Sequence, residues 1–359
     1  MNKRNTGIDL LKIICMIMIL FIHLIGREAL QNNFNPSESN YLIIILMKSF
    51  CCIAVNCYFL VTGYYTINRK IKFSKILKIW GTTLFYTISF FIIFLFIRKG
   101  NVTRIEVMQS LFPVFTESYW FVTVYIAVCL LSPIISIIIT KLSKKQYTYF
   151  IIVLIIIMSL VETIYPQTGV FNYGKGINFA TMMLMYLIGG YIKLHWNLKD
   201  KSSKKYLLGY VAMSLIIFIQ TIVLAILSYW KPEIFKIYYN RAIAYNSILV
   251  IISSILFFLH FETLEVKNQK IDKMINVIKP LTFAVYIIHE DIFIRLKTVN
   301  AIQYQSSSFF IPYLLFCIIG IFIICCLIEG VRQKIFSTLR IGEKFGEKLD
   351  KWEDKLLEE

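Results

Sequence analysis

The chain has 359 residues, 58% of them hydrophobic and 16% charged, with a formal net charge of +17. Together with a mean hydropathy of +0.68, this excludes an ordinary soluble enzyme and predicts an all-α polytopic membrane protein. The positive charge would suit nucleic acid if it formed one patch, but it follows the apolar runs as membrane topology requires, so no nucleic-acid partner is expected.

The first apolar run, GIDLLKIICMIMILFIHL from Gly7 to Leu24, is long enough to cross a bilayer yet contains Asp9, Lys12 and His23. Ionisable groups in hydrocarbon are costly, which makes them functional candidates. Lys12 and His23 lie eleven residues apart, nearly three whole helical turns, so they share one face about 16 Å apart along the axis. No small-residue cleavage site follows this run, so it reads as a retained first helix.

Apolar runs of suitable length predict ten spans: Ile8–Ile25, Tyr41–Tyr65, Ile76–Ile97, Tyr119–Ile139, Thr148–Ile164, Ala180–Leu194, Leu207–Tyr229, Tyr245–Phe261, Leu281–Ile294 and Pro312–Ile328. The sixth and ninth are short. The N-terminus, even-numbered loops and tail carry 26 of the 38 Lys/Arg and the odd-numbered loops 10, with Lys78 and Lys193 counted in the loops beside them. Lys12 and Lys48 lie within spans. The richer side is expected to be cytoplasmic, with both termini there.

Along the chain, Lys48 in the second span falls near the level of His23, where snorkelling to an interface is the plainer alternative. NCYFLVTGYY, Asn56 to Tyr65, ends that span, and its Thr62 and Gly63 suit close helix approach. Arg69 and Lys70 head the basic loop after it, which topology alone explains and which would also attract phosphate. Glu117, Tyr119 and Trp120 stand at the outer end of the fourth span, either as an aromatic belt or as a stacking wall for a sugar ring.

Glu162 closes the fifth span. The ninth span, LTFAVYIIHEDIF, ends in His289, Glu290 and Asp291. The two carboxylates read as solvated, or as partners of an outer-edge imidazole. His195 and His260, at inner ends of spans, read as packing residues. The eight cysteines all fall in apolar runs without zinc spacing and read as packing groups, and no metal is expected.

Residues 1–331 are expected to form one transmembrane domain and residues 332–359 a charged, amphipathic cytoplasmic tail. In the tail Ile341, Phe345, Leu349, Trp352 and Leu356 recur at helical spacing, as in a short helix on the inner membrane surface. Walker, nucleophile-elbow, zinc-pair and dinucleotide motifs are absent from the sequence, which leaves histidine acid/base chemistry as the simplest option.

Four places resemble the family of integral membrane acyltransferases known as the acyltransferase-three family. They are Lys12 through His23 after the Gly7-Ile8-Asp9 entry, VTGYY from Val61, WFVTVYIAVCLLSP from Trp120, and AVYIIH from Ala284 to His289. Lys12 stands where the family more often has Arg, and Thr62 where it has Ser.

The resemblance implies transfer of an acyl group, acetyl by default, from acyl-CoA to a hydroxyl of a cell-surface or lipid-linked glycan. On that expectation Lys12, with Arg69 or Lys70, holds the CoA phosphates, His23 acts as general base or else carries the acyl group covalently, and Lys48 or a helix N–H meets the oxyanion. His289 or Glu290 would orient the base or the sugar. The expected setting is the plasma membrane of a bacterium, among membrane lipids. The rival class is a transporter or flippase for a polysaccharide or lipid-linked sugar. Pro133 and Gly189-Gly190 lack counterparts in a second half, which weighs against it.

Overall fold

The computed structural model describes residues 4–25, 39–68, 72–166, 174–198, 202–295 and 306–338. The described residues are all-helical apart from turns and loops. The chain divides into two compact units, one of Met1–Asn68, Ser136–Lys279 and Val299–Ile318, the other of Arg69–Ile135, Pro280–Thr298 and Ile319–Glu359.

The helices in order are α1 (Thr6–Ile25), α2 (Ser39–Cys51), α3 (Ala54–Thr66), α4 (Phe73–Ile97), α5 (Arg104–Leu111), α6 (Trp120–Thr140), α7 (Lys144–Ile155), α8 (Val161–Ile164), α9 (Phe179–His195), α10 (Ser203–Trp230), α11 (Pro232–Arg241), α12 (Ile248–Glu262), α13 (Gln269–Ile278), α14 (Thr282–Glu290) and α15 (Phe310–Thr338). A π turn, Ile156–Leu160, joins α7 to α8.

Among the described residues seven helices or continuous helical runs are long and apolar enough to cross a membrane: Thr6–Ile25, Asn40–Thr66, Phe73–Ile97, Trp120–Thr140, Lys144–Ile164, Ser203–Trp230 and Phe310–Thr338. The expected sixth, eighth and ninth spans correspond to shorter helices, α9, α12 and α14, of 17, 15 and 9 residues. At 1.5 Å per residue α14 reaches only about 14 Å, too little to cross hydrocarbon alone. The last helix continues through Thr338, so residues 332–338 extend it. The rest of the expected tail helix lies outside the described residues.

Local chemistry sets several helix starts. Thr103 and Glu106 form a reciprocal capping box at α5, as Ser143 and Gln146 do at α7. Asn178 caps α9 through the Thr181 N–H, and Asn268 caps α13. The expected second span is broken into α2 and α3 at Cys52–Ile53, with neither Gly nor Pro at the break.

In the first unit α3 and α9 cross at backbone contact. A Cβ on Gly63 would collide with the Tyr186 carbonyl, and one on Gly189 with the Leu60 carbonyl. Close approach at Gly63 was the expectation from sequence, and Gly189 supplies the reciprocal half. Gly7 meets the end of α12 in the same way, at the Phe261 carbonyl.

Candidate active site

The first unit holds Lys12 and His23, which α1 carries on one face, both half-buried. The entrance to α1 is fixed by an ion network. Asp9, 5% exposed, accepts from Arg4 Nε at 2.6 Å and from Lys279 Nζ at 3.0 Å. Arg4 and the Thr6 hydroxyl also reach Asp272 of α13, at 3.3 and 2.7 Å.

Asn5 donates to Glu262 Oε2, which also accepts from the Tyr65 hydroxyl at 2.6 Å. Asp9 therefore anchors the helix electrostatically. One turn further in, the Tyr58 hydroxyl donates to the Lys12 carbonyl at 2.8 Å, locking α3 to α1 beside the Lys12 side chain.

Lys48 stands in the last turn of α2, only 8% exposed, just before the helix break. Glu162 is 1% exposed and faces into the first unit, paired with Arg241 and accepting from the Asn246 amide. Arg69 and Lys70 lie outside the described residues.

His195 and His260 pack as expected. The ring of His195 sits against Tyr147 and Tyr191, with centroids 5.8 and 5.0 Å away. His260 Nδ1 lies 2.7 Å from the Ser203 hydroxyl at the start of α10.

The second unit holds His289 and Glu290 at the end of α14, with Tyr119, Trp120 and Glu117 before and at the start of α6. His289 is 6% exposed, and its Nδ1 bonds the Val285 carbonyl one turn back. A carbonyl only accepts, so Nδ1 carries a proton and Nε2 is the ring nitrogen turned away from the helix backbone. Glu290 is half-buried.

Tyr119 is 1% exposed, and its hydroxyl donates to Asp291 Oδ2 at 2.9 Å. Asp291, also 1% exposed, takes the Phe293 N–H on its other oxygen at 2.9 Å. Asp291 is thus a buried, hydrogen-bonded carboxylate rather than the solvated one its place at a span's edge suggests. Trp120 is half-buried and Glu117 exposed with φ +53°. Phe121 and Tyr286 meet edge to face at 5.5 Å, and Tyr286 meets His289 at 6.0 Å, so an aromatic wall leads to the imidazole.

The sequence reading named neither Arg241 nor Asn246, gave Asn56 no role of its own, and read Asp291 as solvated or as a partner of the imidazole. The one signal available was a lone Asn56 inside an apolar run.

A helical membrane protein with an ionisable stripe on its first helix and a second imidazole on a late short helix is the class these features define. A model of an acyltransferase domain matches residues 5–330, and the chain belongs to the acyltransferase-3 family. No curated protein and no solved structure matches it.

Proposed function

We propose that this protein is a membrane-bound O-acyltransferase that moves an acyl group, acetyl by default, from acyl-CoA on the cytoplasmic side to a hydroxyl of a cell-surface or lipid-linked glycan. The observation that carries this reading is the pairing of family membership over residues 5–330 with Lys12 and His23 on one face of a membrane-spanning helix.

Lys12, with Arg69 and Lys70, would hold the CoA phosphates by charge-assisted hydrogen bonds. The pantetheine arm, comparable to the roughly 16 Å between Lys12 and His23, then presents the thioester toward the imidazole.

His23 takes the acceptor's hydroxyl proton as that oxygen attacks the thioester carbonyl. Lys48 or a helix N–H stabilises the tetrahedral oxyanion. Collapse breaks the C–S bond, and the leaving thiolate recovers the proton from the imidazolium, so ester and CoA thiol are the products. His289 and Glu290 are assigned to orienting the acceptor, and Trp120 with Glu117 and Tyr119 to its sugar ring. The expected setting is the bacterial plasma membrane.

The test is the ester content of surface glycans in a deletion strain carrying wild type or His23→Ala at equal membrane levels. Loss of one ester class in the deletion, restored by wild type and not by the variant, is the expected result. Restoration by His23→Ala removes the histidine from the chemistry. Unchanged esters with polymer accumulating inside the deletion strain overturn acyl transfer in favour of transport.

A further inference from the structure

The positive-inside count leaves the odd-numbered loops poor in Lys and Arg, so topology does not account for a basic cluster on that side. The first unit nevertheless gathers one around the segment Arg241–Asn246. The Tyr245 N–H donates to the Lys175 carbonyl at 2.9 Å, and Gly176 abuts the backbone of Asn246.

From below, Asn56 donates to the Tyr245 carbonyl at 2.9 Å. Asn246 and Arg241 both converge on Glu162. Of the five side chains Lys175, Asn56, Asn246, Arg241 and Glu162, two are cations and one is a carboxylate.

Two buried polar atoms in the cluster have no hydrogen-bond partner, Arg241 Nη1 and Asn56 Oδ1. Asn56 is 0% exposed. Arg241 therefore donates one arm to Glu162 and holds a second donor in reserve, while Asn56 holds an acceptor. Orphaned buried groups are costly and uncommon in native proteins, and a ligand is one way they are satisfied.

The backbone is irregular here as well. Two turn residues, Cys52 and Ile53, separate α2 from α3 with Ile53 still in the helical region, and the π turn Ile156–Leu160 precedes Glu162 by one residue. π turns gather at functional sites.

We infer that this cluster is a binding subsite for an anionic group of the acceptor glycan, a hexuronate carboxylate or a bridging phosphodiester. Arg241 Nη1 donates to the anion, Lys175 helps to neutralise it, and Asn56 Oδ1 accepts from a neighbouring sugar hydroxyl. The identity of the ligand as an acyl acceptor rests on the acyl-transfer reading; the binding itself does not.

The test is thermal stabilisation of the full-length protein in nanodiscs of uncharged phospholipid. The probes are a hexuronate oligosaccharide, a glycerol-phosphate oligomer and a neutral hexose oligosaccharide of equal length. Stabilisation by an acidic probe and not by the neutral one is the expected result, and the probe that acts names the anion. Removing Arg241 alone would strand buried Glu162, so the variant is Arg241→Gln/Glu162→Gln, which deletes the pair. Lys175→Gln removes a half-exposed charge without emptying the core.

Both variants are expected to weaken acidic-probe binding by about tenfold or more, the size of a lost hydrogen bond to a charged group. Equal stabilisation by neutral and acidic probes, or undiminished binding by the double variant, overturns the subsite. Nanodiscs of anionic phospholipid that abolish the response would assign the cluster to a lipid headgroup and overturn it too. An acidic probe that binds wild type but is not acylated with acyl-CoA present refutes acyl transfer to that acceptor and leaves the subsite standing.

Discussion

The hydroxyl of Tyr119 donates to Asp291 at 2.9 Å across 172 residues of sequence, and both residues are 1% exposed. This bond ties the start of α6 to the chain just beyond α14, close to His289. Tyr119→Phe keeps the ring and removes the donor, leaving a buried carboxylate short of one partner. A loss of about 1–3 kcal/mol is expected, read as a lower unfolding temperature in detergent. Asp291→Asn, whose oxygen takes the Phe293 N–H and whose amide donates to the Tyr119 oxygen while that hydroxyl donates to the Ile287 carbonyl, is expected to lose less. An unchanged unfolding temperature in Tyr119→Phe would show that the bond does not hold the second unit together.

Gly63 and Gly189 make the second testable contact. Each lies where a Cβ would strike a carbonyl of the facing helix, so either Gly→Ala change forces α3 and α9 apart or bends one of them. A destabilisation of about 1–3 kcal/mol per site is expected, with non-additive effects in the double variant because both substitutions push on one crossing. Gly81, whose added Cβ would meet nothing within 4 Å, is the control, and Gly81→Ala is expected to be neutral or mildly stabilising through helix propensity. Equal behaviour at all three positions would refute the close crossing.

What the sequence disclosed follows from what is local. Apolar runs show themselves by composition, so the seven long spans were legible, as were the shared face of Lys12 and His23 and the small residue at the α3 crossing. The break at Cys52–Ile53 was not, because no Gly or Pro marks it and the cause lies in the tertiary setting.

The burial of Asp291 was hidden because its partner, Tyr119, is distant in sequence and a carboxylate after a polar suffix reads as solvated. Glu162 read as an edge residue for the same reason, since its partner Arg241 is distant in sequence. Only pairing makes a buried charge tolerable, and pairing is not a local property.

Glu106, in the first turn of α5, gives a pH prediction. The Thr103 N–H, and after it the Arg98 and Thr103 side chains, hold its carboxyl below the usual glutamate value. A group with a depressed folded pKa contributes stability in full above its unfolded value, near 4.3. That contribution fades as pH falls through the folded value. Protection of α5 amides against hydrogen exchange is therefore expected to stay level from neutral pH to about 5 and to decline in more acid solution. In Glu106→Gln the baseline should be lower and the acid decline shallower. A variant with the wild-type acid profile would assign the decline to another group.

Lys12 and His23 are separable by kinetics, because the proposed roles act at different stages. The Tyr58 hydroxyl bonds the Lys12 carbonyl, so Lys12→Ala leaves that helix contact intact while it removes the ammonium. Its expected effect is a KM for acyl-CoA raised about tenfold or more, the value of a charge-assisted hydrogen bond. Lys12→Arg restores the charge and is expected to recover most of that loss. His23→Ala leaves the phosphate contacts in place, so it should keep the KM for acyl-CoA and lower kcat by about 10²–10⁴-fold. If Lys12→Ala lowers kcat at an unchanged KM, the lysine belongs with the reacting carbonyl and not with the CoA phosphates. If His23→Ala raises only KM, the imidazole binds and another group takes the proton.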